Sequence, residues 1–235
     1  MTRAQHRSLA LAAFAWGVAI LAPPLAAQDS GYDGPDKSLL RAEFWADLAP
    51  VSGVGDEWPV SDATARSRML EEAAWVYSGL IWGFDFEYTP YDKARGLAER
   101  FVLSPLGSLK PDSLSFAPGA RKAASGELRS FVEYRPPTAL AEFMQSYMQD
   151  PWKGAQGIGK ADMNLGIKGR MAAYEDALRL AVRAYLQGLE PNKPRLVRGR
   201  VAFERAPTMA ILGGFYTCQA RARVMVGEIL RNKVY

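Results

Sequence analysis

The chain has 235 residues, 49% of them hydrophobic, and a formal charge of +4, which suits one domain with a real core. Its only histidine is His6 and its only cysteine is Cys218. Beyond residue 6 this excludes Ser-His-Asp and Cys-His catalysis, His-ligated metals, thiolate clusters and an intrachain disulfide.

The N-terminus carries Arg3, His6 and Arg7, then an apolar run from Leu9 to Leu21, then Ala22-Pro23-Pro24-Leu25-Ala26-Ala27. This order reads as a cleavable secretory signal over residues 1–27. The apolar run is shorter than the ~20 residues of a membrane span. No cysteine follows it to take a lipid, and no later segment approaches a transmembrane length. Cleavage removes two arginines, leaving 27 basic against 25 acidic residues. That balance argues against nucleic acid. The expected location is the periplasm or the outside of the cell.

Residues 28–60, rich in Gly, Pro and Asp, read as a partly ordered arm, with a helix at Asp36–Leu48 on the spacing of Leu40, Phe44, Trp45 and Leu48. Ser61 or Asp62 caps a helix reaching about Ser78, with Leu70, Ala73, Ala74 and Tyr77 inward and Glu71 and Glu72 outward. From Ile81 to Tyr88 the period falls to two, as in a strand with Trp82, Phe84, Phe86 and Tyr88 on one face and Asp85 and Glu87 on the other. A short helix is expected at Asp92–Leu103, a loop at Ser104–Ser125 with a strand near Leu114–Phe116, a strand at Leu128–Arg135 and a helix at Thr138–Gln149.

Residues 153–169 read as a Gly-rich connector. Arg170 to Gln187 has the clearest helical stripe, Met171, Tyr174, Leu178, Ala181, Val182 and Tyr185, ended by Gly188. Leu196–Glu204 and Met209–Met225 read as a hairpin turning near Arg205-Ala206-Pro207, and Val226–Asn232 as a helical turn. The fold class is α+β, helices on one face of a mainly antiparallel sheet. The similar order of the two halves suggests a weak duplication of an α-β-β unit. Residues 61–235 form the single domain.

Four features carry candidate chemistry. Gly154 to Ala161 has the Gly and Lys spacing of a phosphate loop, but Ala161 stands where Ser or Thr would hold magnesium, so a flexible connector with weak anion contacts at Lys160, Lys168 and Arg170 is preferred. No cofactor is called for. Asp85 and Glu87 share a strand face about 7 Å apart, from a rise of ~3.3 Å per residue, a separation of the order used by glycosidases. Pairing with Arg129 and Arg135 is the simpler reading of that acid pair. The row Trp82, Phe84, Phe86 and Tyr88 is a core face or, if exposed, a ligand platform. Arg198 and Arg200 on one strand, with Arg221 and Arg223 on the next, would gather four guanidiniums for an anionic partner.

The residues favour an exported, non-enzymatic envelope protein that binds or scaffolds through the arginine hairpin. Its expected partners are an envelope protein, the wall glycan or an anionic lipid surface. The alternatives are a glycan hydrolase using Asp85 and Glu87, and a periplasmic small-ligand binder, which requires an apolar pocket.

Overall fold

A computed structural model describes residues 39–49, 60–122, 126–190 and 192–232; the expected signal peptide lies outside these residues. In chain order the elements are β1 (Leu40–Asp47), α1 (Asp62–Ile81), β2 (Phe84–Thr89), β3 (Arg100–Pro105), β4 (Ser115–Phe116), β5 (Arg121–Lys122) and β6 (Glu127–Tyr134). There follow α2 (Thr138–Ser146), β7 (Lys153–Asp162), α3 (Ile167–Leu189), β8 (Leu196–Phe203), β9 (Thr208–Leu212) and β10 (Phe215–Leu230). The fold is α+β, and every strand pair is antiparallel.

The larger sheet runs β3-β2-β8-β10-β7, with β9 also paired to β10. The smaller runs β1-β6-β4, with β5 also on β6. Helix α1 lies between them. Tyr77 meets Phe44 of β1 edge-on at 5.8 Å, while Trp75 meets Phe84 of β2 at 4.9 Å. A helix covered on two sides needs a wide buried arc rather than a stripe, and α1 buries Ala65, Met69, Glu72, Ala73, Val76 and Leu80 as well as Tyr77. Ser61 caps it, its hydroxyl accepting from the Thr64 amide at 3.1 Å.

Several elements differ from expectation. Residues 40–47 form a strand of the domain, not a helix in an arm: Leu40, Ala42, Phe44 and Ala46 alternate as well as they fit a helix, and pairing with β6 along the whole strand decides between the periods. Asp92 caps only a short turn at Lys93–Arg95, ended by Gly96 at φ 65°, and β3 follows where a helix to Leu103 was expected. The aromatic row is core: Phe84, Phe86 and Tyr88 are at most 3% exposed. Trp82 belongs to the end of α1, not to the strand. The row therefore offers no ligand platform.

The hairpin turns at Gly213 and Gly214, not near Pro207. Both have positive φ, 60° and 82°, as a two-residue primed turn requires. Strand β10 then continues through Val226 to Leu230 beside β8, where a helical turn was expected. Gly199 lets Phe86 close over β8: a Cβ there would lie 2.3 Å from the Met225 carbonyl.

The largest correction concerns residues 153–162, which form strand β7 rather than a connector. The strand pairs with β10 from Lys153 to Asp162 and lies directly beneath α3. Gly157 and Gly159 meet Ala173, Ala177 and Ala181 there, so helix and sheet approach at backbone distance. A Cβ on Gly159 would sit 2.2 Å from the Ala173 carbonyl oxygen, and one on Gly157 2.0 Å from that of Ala177. Glycine spacing that imitates a phosphate loop is a close-packing device. Gly159→Ala should therefore cost about 3 kcal/mol, the upper range for overpacking. Gly154→Ala, whose Cβ meets nothing closer than 3.8 Å, should be nearly neutral. Urea unfolding of both variants checks this, since a flexible connector would tolerate either equally.

Candidate functional site

On the outer face of the large sheet the two charged candidates meet each other. Register places Glu87 opposite Arg198 and Asp85 opposite Arg200. Arg198 Nε donates to Glu87 at 2.7 Å and Nη1 to Glu228 at 3.2 Å; Arg200 Nε donates to Asp85 at 3.2 Å. Arg223 Nε lies 2.8 Å from a Glu204 carboxylate oxygen, but out of line for a hydrogen bond. Arg221 stands exposed beside it.

All four arginines do share a face, yet three face carboxylates, so that face is a ladder of alternating charge rather than a positive patch. The side chains of Asp85 and Glu87 are about half exposed, at 53% and 50%, on an open strand surface. Their partners are Arg200 and Arg198; Arg129 instead bonds Glu127 at 2.6 Å. A pair held this way is not placed for acid and base work on a sugar, which needs an enclosed pair with separated roles. Each exposed ion pair contributes about 0–1 kcal/mol.

The buried charge lies elsewhere. Glu72 of α1 is 2% exposed and Arg170 of α3 is 5% exposed. Arg170 grips the carboxylate with Nε at 2.9 Å and Nη2 at 2.8 Å, and the Tyr174 hydroxyl donates to it at 2.5 Å. One helical turn separates Arg170 from Tyr174, so both reach the same carboxylate from one face of α3. The guanidinium also lies 4.0 Å from the Trp45 ring and 5.4 Å from that of Tyr216. Burial works against the Arg170 charge, but the Glu72 carboxylate, together with Tyr174 and Tyr216, outweighs it and holds the guanidinium ionised. Burial first, and then Glu72, push the Tyr174 hydroxyl well above its ordinary value, so it remains a donor.

One group in the cluster is unsatisfied. Arg170 Nη1 is buried without a hydrogen-bond acceptor among the described residues. Arg170 and Tyr174, with Glu43 and Thr208, are the polar residues lining a cavity of about 260 Å³. Beyond α3, its walls are residues 42–45 of β1, Phe131 of β6 and residues 206–209, the loop into β9 with its first two residues. Nearby, Asp47 accepts from the Tyr216 hydroxyl at 3.2 Å. Burial raises the Asp47 pKa, against the pull of Arg170. Burial and then the Asp47 carboxylate push Tyr216 up to about 12. Cys218 is fully buried, and burial raises its thiol, so it is a core hydrophobe.

Sequence alone gives Arg170 as the start of a helix and a weak anion contact of the loop before it, and places Glu72 outward. One signal for each was present: Glu72 directly precedes the run Ala73-Ala74-Trp75-Val76, and Arg170 begins the best apolar stripe of the chain, one turn before Tyr174.

The chain belongs to an uncharacterised protein family, whose model matches residues 29–231. It is similar to an uncharacterised protein of Treponema pallidum (strain Nichols), 28% identical over 208 residues that cover 87% of each chain. No solved structure matches.

Two outcomes test the cluster. Glu72→Gln should cost about 3–5 kcal/mol, because it leaves a buried guanidinium uncompensated. Glu72→Leu combined with Arg170→Met should recover most of that loss in urea unfolding. Separately, the fold favours protonated Asp47, so its ionised form is a cost above its raised pKa. Asp47→Asn should therefore melt higher than the native protein at pH 7. That advantage should shrink as pH falls through the Asp47 titration, when the native carboxyl is neutral as well.

Proposed function

We propose that the chain is an exported, non-enzymatic envelope binding protein whose ligand enters the cavity beside Arg170. The carrying observation is a cavity, lined largely by apolar residues, whose wall includes the nine-tenths buried Arg170, a guanidinium with one nitrogen lacking an acceptor. Buried donors normally find an acceptor, and leaving one unmade costs about 1–3 kcal/mol. An incoming ligand supplies that acceptor once the side chains covering Nη1 give way, and apolar walls favour a ligand with an apolar body.

Two of the other polar side chains at the cavity are already engaged. Tyr174 donates to Glu72, and Glu43 lies 3.4 Å from Arg129 in an ion pair. This supports binding over turnover. The arginine-rich face supports contact with an anionic surface less well, because its own acids neutralise it. Among the described residues no helix is long and apolar enough to cross a membrane.

Ala206 lines the cavity and takes no part in the hydrogen bonds of the Glu72 cluster, so Ala206→Phe fills the space while leaving the ion pair in place. In a thermal-shift screen of small metabolites and short peptides, a ligand at 100 times its Kd should stabilise the mature protein by about 2.7 kcal/mol. For a chain of this size that raises Tm by roughly 5–10 °C. The shift should vanish in Ala206→Phe; a shift that persists places the binding site elsewhere and overturns the proposal.

A further inference from the structure

The cavity lies between two open sheet edges. Its walls include four consecutive residues of β1, 42–45, and four more leading into β9, 206–209. Runs of neighbours line a cavity on both sides when the chain presents its backbone edge and not one face. Among the described residues, strand β1 pairs only with β6, and β9 only with β10.

The direction of the backbone groups follows from the register. The Leu48 amide donates to the Gly126 carbonyl across the β1–β6 pair. Phe131, opposite Glu43, gives its carbonyl to Ala117 on the other side of β6. In an antiparallel pair these roles alternate. The even residues of β1 therefore face β6, while Glu43 and Trp45 turn their N–H and C=O to the open edge.

In the β9–β10 hairpin the two-residue turn makes Leu212 and Phe215 a hydrogen-bonded pair, as it does Ala210 and Thr217. Met209 and Ile211 thus point their backbone groups away from β10. The Met209 carbonyl agrees: it accepts from Trp45 Nε1 across the gap, at 3.4 Å. That is longer than the usual range. The Trp45 side chain thus bridges from β1 to β9, and both segments line the same cavity; a strand entering between them would need roughly 10 Å, twice the ~4.8 Å between neighbours.

We propose that the ligand of this cavity is an extended peptide segment, which enters as a strand between β1 and β9 and joins the two sheets. This rests on the cavity reading above and specifies its ligand. The backbone N–H and C=O of Glu43 and Met209 pair with the peptide, which displaces the Trp45 indole from the Met209 carbonyl. Arg170 Nη1 takes a peptide carbonyl. Charge selects a carbonyl over an anion. Glu43, Asp47, Glu72, Glu127 and Glu133 lie around the site against three guanidiniums, Arg41 on Phe131, Arg129 and Arg170, so acids outnumber them and a further negative charge is repelled. Met209, Phe131 and Pro207 provide an apolar bed for alternate side chains of the peptide.

The test selects a displayed library of linear dodecapeptides against the mature protein. The best sequence is then synthesised, and its binding is followed by tryptophan fluorescence. A strand bonded on both sides uses every amide, so N-methylation at any one of its central residues should weaken binding about tenfold or more. Met209→Pro removes an edge amide that β9 does not use, and it should weaken binding similarly, whereas Met209→Leu should not. Loss at only every second N-methyl position indicates addition to a single edge and overturns the insertion. Binding indifferent to N-methylation, or retained in Met209→Pro, also overturns it. If no peptide is selected while a small molecule stabilises the protein in a manner lost in Ala206→Phe, the strand inference fails and the cavity reading stands. If neither binds, both fail. Dimerisation of the free protein in sedimentation, abolished by Met209→Pro, assigns the gap to a second copy and overturns the peptide.

Discussion

The buried pair of Glu72 and Arg170 ties together elements that no continuous sheet connects. Glu72 comes from α1, Arg170 and Tyr174 from α3, and the guanidinium stacks on Trp45 of β1 while facing Tyr216 of β10. One guanidinium thus touches both helices that pack on the large sheet, the sheet itself and the edge of the small sheet. Taking two charges out of water costs several kcal/mol per ion, so such a pair persists only when its geometry and remaining hydrogen bonds are good. Three donated bonds meet that requirement for the carboxylate. The guanidinium, with Nη1 unmatched, does not fully meet it. The arrangement favours one relative placement of the two sheets and leaves an unsatisfied donor where they part.

The space between the sheets has a simple origin. Helix α1 separates them, and the chain covers the gap where β1 and the loop into β9 pass each other. A small sheet with an open edge is ordinarily a liability. Here the open edge of β1 faces inward, toward another open edge, with the Trp45 indole spanning the gap to Met209. Strand edges that face inward in this way are poor templates for aggregation.

Local signals were legible where a single period dominated. Helix α1 begins at the Ser61 cap, and α3 buries Tyr174, Leu178, Ala181 and Val182 of its expected stripe. Strand β6 and the exposed acids of β2 fall where the alternation places them. The sequence reading failed where two periods fit equally, as in β1, and where glycine was taken as looseness. In β7 glycine marks the opposite condition, since the closest approach of helix and sheet leaves no room for a Cβ. It also found the right charged residues but not their partnership. Asp85, Glu87, Arg198 and Arg200 were weighed as separate sites, because only the placement of β2 beside β8 brings them together.

What the sequence by itself determined was the class of the problem: an α+β domain whose only histidine is His6 and whose only cysteine is Cys218. It also determined the helices and strands whose side chains repeat with one period, because that information is local. The tertiary structure decided which charges are buried, which acids meet which arginines, and where two sheet edges face each other. Those depend on contacts between residues about a hundred positions apart, as with Glu72 and Arg170. A carboxylate beside an apolar run reads as exposed until a second helix brings the guanidinium that makes its burial tolerable.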